Sequence, residues 1–229
     1  MNIGIDIDDT ITDTFDYLMP FVAEFFGADL RELKARGISY SNLPEEWKGR
    51  EIEFCKKYYD EVVPDTPVKR GAAECIRKLR GAGHRIFIIT ARDDRLYADA
   101  FGTTSLQLAK NHIGYDKLIC TFDKAKACLD ERIDLFIDDS AENCRKVRDA
   151  GFPVLLFRSP VNRYIKTDLE RAGSAGGRRR GNSLHNRENP IKIAKSGESF
   201  LYFCCGCVKI IKKEKRREFQ WQRKLRRTL

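Results

Sequence analysis

Four aspartates, Asp6, Asp8, Asp9 and Asp13, fall within eight residues, directly after a short apolar run at the N-terminus. Carboxylates this close repel one another, and burying one is costly unless a cation sits among them. Residues i and i+2 of a strand share a face, so a strand over residues 2–7 makes Asp6 and Asp8 project together from its carboxyl end. Two adjacent carboxylates suit a hard divalent cation such as Mg²⁺, which pairs one or two protein carboxylates with substrate phosphate oxygens. An isolated Asp-x-Asp also occurs as a turn or helix cap, so the pair alone decides nothing. A second acidic pair, Asp138-Asp139, follows the apolar run DLFI. Thr90 closes a further run, RIFIIT, and is followed by Ala91 and Arg92. Lys124 and Lys126 open a helical segment between Thr90 and the second acid pair. All these groups fall where strands give way to loops. Together they suit a phosphoryl transfer, which needs a metal, charge-stabilising donors and an in-line nucleophile.

The elements that must hold them read as an alternation of strands and helices. Residues 85–90, 117–120, 134–137 and 153–157 are short β-branched or apolar runs without alternation, as in strands buried on both faces. Helical spacing recurs over residues 72–79, 104–112, 124–130 and 141–150, with Gly81-Ala-Gly83 and Gly151 as stops. This pattern predicts a parallel sheet covered on both faces, with its ligands at the carboxyl ends of the strands. Residues 15–69 break the alternation, having no strand pattern. Helices are expected over 15–26 (with Pro20 inside), over 29–36, and from Pro44-Glu-Glu through 47–63. An insertion directly after the first strand sits over the carboxyl end of the sheet.

Taken in order, Asp6-x-Asp8-x-Thr10, Thr90, Lys124 and Asp138-Asp139 resemble the four-motif signature of the haloacid dehalogenase (HAD) superfamily. The stretch from TARDD to DDSAENC is similar to the 5′-nucleotidase C-type branch, which includes the 5′(3′)-deoxyribonucleotidases. The resemblance covers residues 1 to about 168. It implies a three-layer Rossmann-like α/β fold, with a catalytic core of residues 1–14 and 70–168 and a small helical C1-type cap of residues 15–69. It implies that Asp6 is the nucleophile and forms an aspartyl-phosphate, while Asp8 is the general acid and base. Crowding by like charge is expected to keep a proton on Asp8. Thr10 would orient the loop. Thr90, with Ala91 and Arg92 beside it, would face the substrate phosphate, and Lys124 would neutralise it. Mg²⁺ would be held by the Asp6 carboxylate, the Asp8 main-chain carbonyl and Asp138 or Asp139. Lys126 rivals Lys124, but the Asp-Lys pair in FDKA matches the family at Lys124. An acid at position 8 argues against dehalogenase chemistry.

Other candidates have plainer readings. Asp9 is expected to point away from its neighbours, and Asp13 to cap the helix after Thr14. Arg92 either touches substrate or pairs with Asp93 and Asp94. Asn162-Arg163 lies in a late loop and has either a pocket role or, the plainer reading, a solvated one. Phe15, Tyr17, Phe21, Phe25, Phe26 and Trp47 could stack on a base, but their spacing is also that of a cap's own core.

The charge of the chain is divided. Residues 171–229 carry 17 Lys and Arg against 4 Asp and Glu, which leaves 26 against 30 in the first 170 residues. The basic character therefore belongs to the tail, residues 169–229, and not to the body. Residues 172–186 are Gly-, Arg- and Ser-rich without periodicity, a linker-like or disordered composition. The final basic run reads as an amphipathic helix able to contact nucleic acid or an anionic surface. The abrupt change of composition near Ala172 suggests sequence foreign to the family. Cys204, Cys205 and Cys207 lack a fourth ligand at zinc spacing, and the remaining five cysteines read as single reduced thiols. Without a signal-peptide pattern or an eighteen-residue apolar stretch, a cytoplasmic location is the expectation, with no membrane partner.

The expected function is thus a Mg²⁺-dependent phosphomonoester hydrolase, for nucleoside 5′-monophosphates or alternatively sugar phosphates. Readings of another class are a phospho-accepting regulatory domain and a nucleic-acid binder using the tail. The expected partner is a small phosphomonoester, and nothing in the sequence fixes the oligomeric state.

Overall fold

A computed structural model describes residues 1–38, 44–173, 199–204 and 207–212. Its centre is a sheet of β1 (Asn2–Ile5), β2 (Arg85–Thr90), β3 (Lys117–Cys120), β4 (Leu135–Asp138) and β5 (Val154–Arg158), ordered β3-β2-β1-β4-β5, every pair parallel. A three-residue strand, β6 (Arg171–Gly173), extends the edge beside β5, also parallel. Alternation along β2 explains why it has no polar face. Ile86 and Ile88 pack with Ile3, Ile5 and Leu135 on one side of the sheet, and Phe87 and Ile89 pack with Phe136 on the other.

Helices complete the layers. Ile76 and Leu79 of α4 (Ala72–Gly81) and Leu108 of α5 (Ala100–Lys110) cover the first side. Ala127 and Cys128 of α6 (Lys124–Asp130) and Val147 of α7 (Ala141–Asp149) cover the second. The central strands β1, β2 and β4 bury both faces, so the hydrophobic effect holds the sheet from both sides. The result is the Rossmann-like α/β architecture expected from the sequence. The five cysteines of this body are unpaired, and burial pushes the Cys128 thiol up to about 12.

The insertion leaves and rejoins the core as two paired segments, bridged at Thr12 and Val68. It contains α1 (Thr14–Phe26), α2 (Leu30–Arg36), a 3₁₀ turn (Glu45–Trp47) and α3 (Glu51–Val62). Its aromatic side chains pack mainly on one another. Phe26 stacks on Trp47 with ring centroids 4.2 Å apart, and Phe21 and Phe54 meet Tyr58. One of its clusters also takes in Tyr97 from the β2–α5 connection and Ala100 at the start of α5. Asp60 of α3 fastens that contact, accepting hydrogen bonds from the Ala98 and Asp99 backbone and from the Thr103 hydroxyl.

Three sequence expectations change here. The first strand stops at Ile5, two residues early, because Ile7 begins a tight turn in which its carbonyl accepts from Thr10, Ile11 and Thr12. The helix expected through 47–63 starts only at Glu51, because Gly49 takes a left-handed conformation with φ 86° and turns the chain. In the tail, β7 (Ser199–Cys204) and β8 (Cys207–Lys212) form an antiparallel pair where no strand is expected from the sequence. The linker reading of 172–186, from 174 onward, and the basic helix beyond 212 lie outside the described residues. Among the described residues, no helix is long and apolar enough to cross a membrane.

Gly4 sits in the centre of the sheet, where a Cβ would lie 3.0 Å from the Phe136 ring and 3.1 Å from Ile89. Replacing it with valine is expected to cost about 1–3 kcal/mol in urea unfolding, because the packed neighbours must shift. An unchanged midpoint would contradict this packing.

Candidate active site

Asp6 extends from the end of β1, and Asp138 ends the neighbouring strand β4; the two backbones are joined there by a hydrogen bond from the Asp6 N–H to the Ile137 carbonyl, 2.9 Å. Lys124, the first residue of α6, is placed between them. Its ammonium donates to Asp6 Oδ1 at 2.6 Å and to Asp138 Oδ2 at 2.7 Å, and all three side chains are almost fully buried. The Asp123 carboxylate caps α6 by accepting from the Lys126 N–H, which fixes where the helix starts and hence where Lys124 points. Lys126, the rival lysine, faces solvent and pairs with Asp130 one turn along.

Asp8 stands apart from this group. Arg92 grips it through two bonds, Nε to Oδ2 at 3.0 Å and Nη2 to Oδ1 at 2.6 Å, and the Thr14 hydroxyl donates to Oδ1 at 2.8 Å. Arg92 is itself 2% exposed, and its remaining nitrogen donates to the Gln107 carbonyl oxygen at 2.7 Å. The guanidinium is engaged by Asp8 and α5, and among the described residues it pairs with Asp8 and not with Asp93 or Asp94. Burial pushes the Asp8 carboxyl up, but the Arg92 charge and hydrogen bonds outweigh it and hold the group below its usual range. The expectation that crowding keeps a proton on Asp8 is therefore not met. Asp6 is the one raised, to about 7, by burial and by the Asp138 and Asp8 charges against the pull of Lys124.

Asp9 also departs from its sequence reading. Its φ of 56° takes it out of strand alternation, so it lines the same cavity as Asp6 and Asp8. Its carboxylate accepts from the Phe15 N–H in the first turn of α1, and burial raises it to about 7. Asp13, expected to cap that helix, makes no cap bond and pairs with Lys69 instead.

Asp139 is 8% exposed, and its Oδ2 accepts from the Ser159 hydroxyl at 2.8 Å. Burial, then the Asp138 charge, pushes it well above the usual carboxylate range. Asn162 is 1% exposed and donates to the Asp139 carbonyl at 2.7 Å and the Phe157 carbonyl at 2.6 Å. The solvated-loop reading fails for Asn162, although Arg163 beside it is exposed. The hydroxyls of Thr10 and Thr90 are buried without a protein partner. An unmet buried hydroxyl costs roughly 1–3 kcal/mol, and a ligand oxygen would remove that cost.

The cavity itself has a volume of about 370 Å³ and is walled by the acids, Ala91, Lys124, the start of α7 and the loop at Val161 and Asn162. Carboxylate oxygens from Asp6, Asp138 and Asp139 lie within 4.8 Å of one another. An all-oxygen donor set of this compactness fits a hard divalent cation. Asp8 is outside that set because Arg92 draws its side chain aside. Ser159 and Gln107 have no place in the sequence reading. Their partners lie 20 and 15 positions away in sequence, and no local spacing announces them.

Residues 1–176 match the family described as 5′ nucleotidase, deoxy (pyrimidine), cytosolic type C protein. A protein from Clostridium acetobutylicum named as a nucleotidase is 32% identical over 176 residues, spanning 72% of this chain and 86% of its own. Among solved structures, a haloacid dehalogenase-like hydrolase from Streptococcus pneumoniae superposes with a TM-score of 0.54 at 13% identity, over 75% of this chain and 92% of that one. A structure from Clostridium acetobutylicum described as a predicted phosphatase gives the same TM-score, 0.54, at 14% identity, over 74% and 92%. At such identities the structures speak for the fold alone.

Asp6 and Asp9, each raised from 3.8 to about 7, bind protons in the folded chain but not in the unfolded one between those values. Stability of the metal-free protein should therefore fall by a few kcal/mol as pH rises from about 4 to 7. Urea unfolding in EDTA at pH 5 and pH 7.5 measures this. Adding a divalent cation should recover the loss at pH 7.5, and metal-free stability that rises with pH would contradict the assignment.

Proposed function

The chain belongs to the cytosolic type C 5′-nucleotidase family, a group of phosphoric monoester hydrolases, and from that premise we propose that it is a Mg²⁺-dependent phosphatase of nucleoside 5′-monophosphates. The observation that carries the reading is the buried Asp6–Lys124–Asp138 arrangement at the floor of a cavity, with Asp139 beside it. A carboxylate held against an ammonium is preoriented, and the same charge meets a phosphate that enters above it.

In this reading an Asp6 oxygen attacks the substrate phosphorus, and the bond from phosphorus to the ester oxygen breaks. Asp8 gives a proton to the departing alkoxide, so the alcohol leaves neutral. Asp8, now a carboxylate, takes a proton from the water that attacks the aspartyl-phosphate. Inorganic phosphate departs and Asp6 is regenerated. Asp8 rests as a carboxylate under Arg92, so it must acquire the proton as the doubly negative phosphate arrives, because a nearby like charge raises its pKa. Thr90 and the backbone around Ala91 would receive the phosphate oxygens, and Thr10 would do so or hold the loop. Asp6 and the Asp138-Asp139 pair would hold Mg²⁺, with the Asp8 carbonyl. When bound, the cation supplies Lewis-acid stabilisation of phosphoryl charge. Residues 15–69 would act as the cap that shields the cavity from water and selects the substrate, over a core of 1–14 and 70–168.

With p-nitrophenyl phosphate and Mg²⁺, Asp6→Asn is expected to lose at least about 10³-fold in kcat, as removal of a nucleophile does. Turnover equal to wild type would end the nucleophile assignment. Arg92→Lys keeps the charge but breaks the two-pronged grip on Asp8, and should lower kcat roughly 10- to 100-fold with little change in KM, as expected for a general acid out of place. A raised KM with normal kcat would instead make Arg92 a substrate contact.

A further inference from the structure

A second cleft, of about 580 Å³, opens between α2 of the cap and the loop of residues 160–165. Val161 lines both this cleft and the catalytic cavity, so the two adjoin at that side chain. Phe15, Met19 and Tyr164 supply apolar wall, while Lys34 and Arg36 come from α2 and Arg163 from the facing loop. One acid, Asp16, lines the cleft against these three cations. Arg36 has an exposed partner in Glu32 at 3.5 Å, and neither Lys34 nor Arg163 has an ion pair among the described residues. Behind the same loop, Arg158 and Lys166 line a further cleft and add to the positive field. Such a concentration stands out on a body whose first 170 residues carry more acids than bases.

The loop that presents Arg163 has a fixed position. Asn162 is 1% exposed and ties it to the carbonyls of Asp139 and Phe157, while its own side-chain oxygen accepts from the Ser159 N–H at 3.3 Å. Arg163 Nε donates to the Pro160 carbonyl at 3.2 Å, and its guanidinium carbon lies 5.4 Å from the Tyr164 ring centroid. Among the described residues neither terminal nitrogen has a hydrogen-bond partner, and their fork geometry suits phosphate. Cations brought together from two elements across a gap repel, and an anion between them removes the repulsion.

We propose that this cleft binds a second anionic group of the substrate, so the preferred class is a phosphomonoester bearing another phosphate, a nucleoside 3′,5′-bisphosphate rather than a 5′-monophosphate. The proposal rests on the phosphatase reading above. Asn162 touches Asp139 and carries Arg163 in the next position, so one residue sets the span between the phosphate being cleaved and the phosphate being held. Lys34 and Arg36 add their charge from the cap side, so the second phosphate also draws cap and core together.

Steady-state kinetics of the full-length wild type and of the double variant Arg163→Gln/Lys34→Met decide the matter, with thermal melts checking that the variant is folded. The wild type should show a kcat/KM for the bisphosphate about tenfold or more above that for the monophosphate, the gain lying in KM, as for a charged hydrogen-bonding contact. The ratio should collapse towards one in the double variant, and shrink in the wild type as salt is raised. A wild-type ratio near one, or a preference that survives the double substitution, would overturn the proposal while leaving the phosphatase reading intact. Failure to hydrolyse either ester would strike the phosphatase reading itself, and this proposal with it.

Discussion

A single ammonium, that of Lys124, allows two buried carboxylates from adjacent strands to face one another. Moving each of these charges out of water is expensive, and only their mutual attraction with good hydrogen-bond geometry offsets the cost. Both bonds are short, 2.6 and 2.7 Å, and all three groups are nearly inaccessible to solvent. The surrounding fold meets the requirements of this contact. Strands β1 and β4 must be parallel neighbours, so that Asp6 and Asp138 emerge at the same edge, and α6 must begin where its first side chain reaches between them. The apolar packing on both faces of the sheet keeps water from competing.

Each further acid then has its own holder, and that separates their behaviour. Arg92 keeps Asp8 ionised and turned aside, while Ser159 and Asn162 brace Asp139, and the first turn of α1 takes Asp9. Five aspartates in one cavity would otherwise titrate as an undifferentiated group. The helical insertion is tied to this division, since Thr14 and Phe15 in the first turn of α1 touch Asp8 and Asp9 directly. Any movement of α1 is therefore felt at two acids of the cavity.

Much of this was legible in the sequence, for reasons that differ by residue. The runs RIFIIT and KLIC became strands with unchanged limits, because a short apolar run bounded by polar turns fits a buried strand better than a helix. Helix α6 began at Lys124 as read, and the placement of its first residue separated Lys124 from Lys126. Asp9 was misread because strand alternation stops before it, at a turn whose φ of 56° no propensity rule assigns to aspartate there. Arg92 was ambiguous because its partner Asp8 lies 84 residues away, a distance over which spacing carries no information. Asn162 looked like loop polarity, since only the folded chain brings two strand-end carbonyls to its amide. In the helical insertion, Gly49 ended a pattern that its neighbours would have continued.

The central claim is that Asp6 becomes the covalent carrier of the phosphoryl group. Wild-type protein turning over a nucleoside 5′-monophosphate with Mg²⁺ can be quenched, reduced with borohydride and mapped by peptide mass spectrometry. An acyl phosphate is reduced to an alcohol, so the account predicts homoserine in place of aspartate at position 6, and none in a sample without substrate. Reduction at another carboxylate, or no reduction during active turnover, would contradict it.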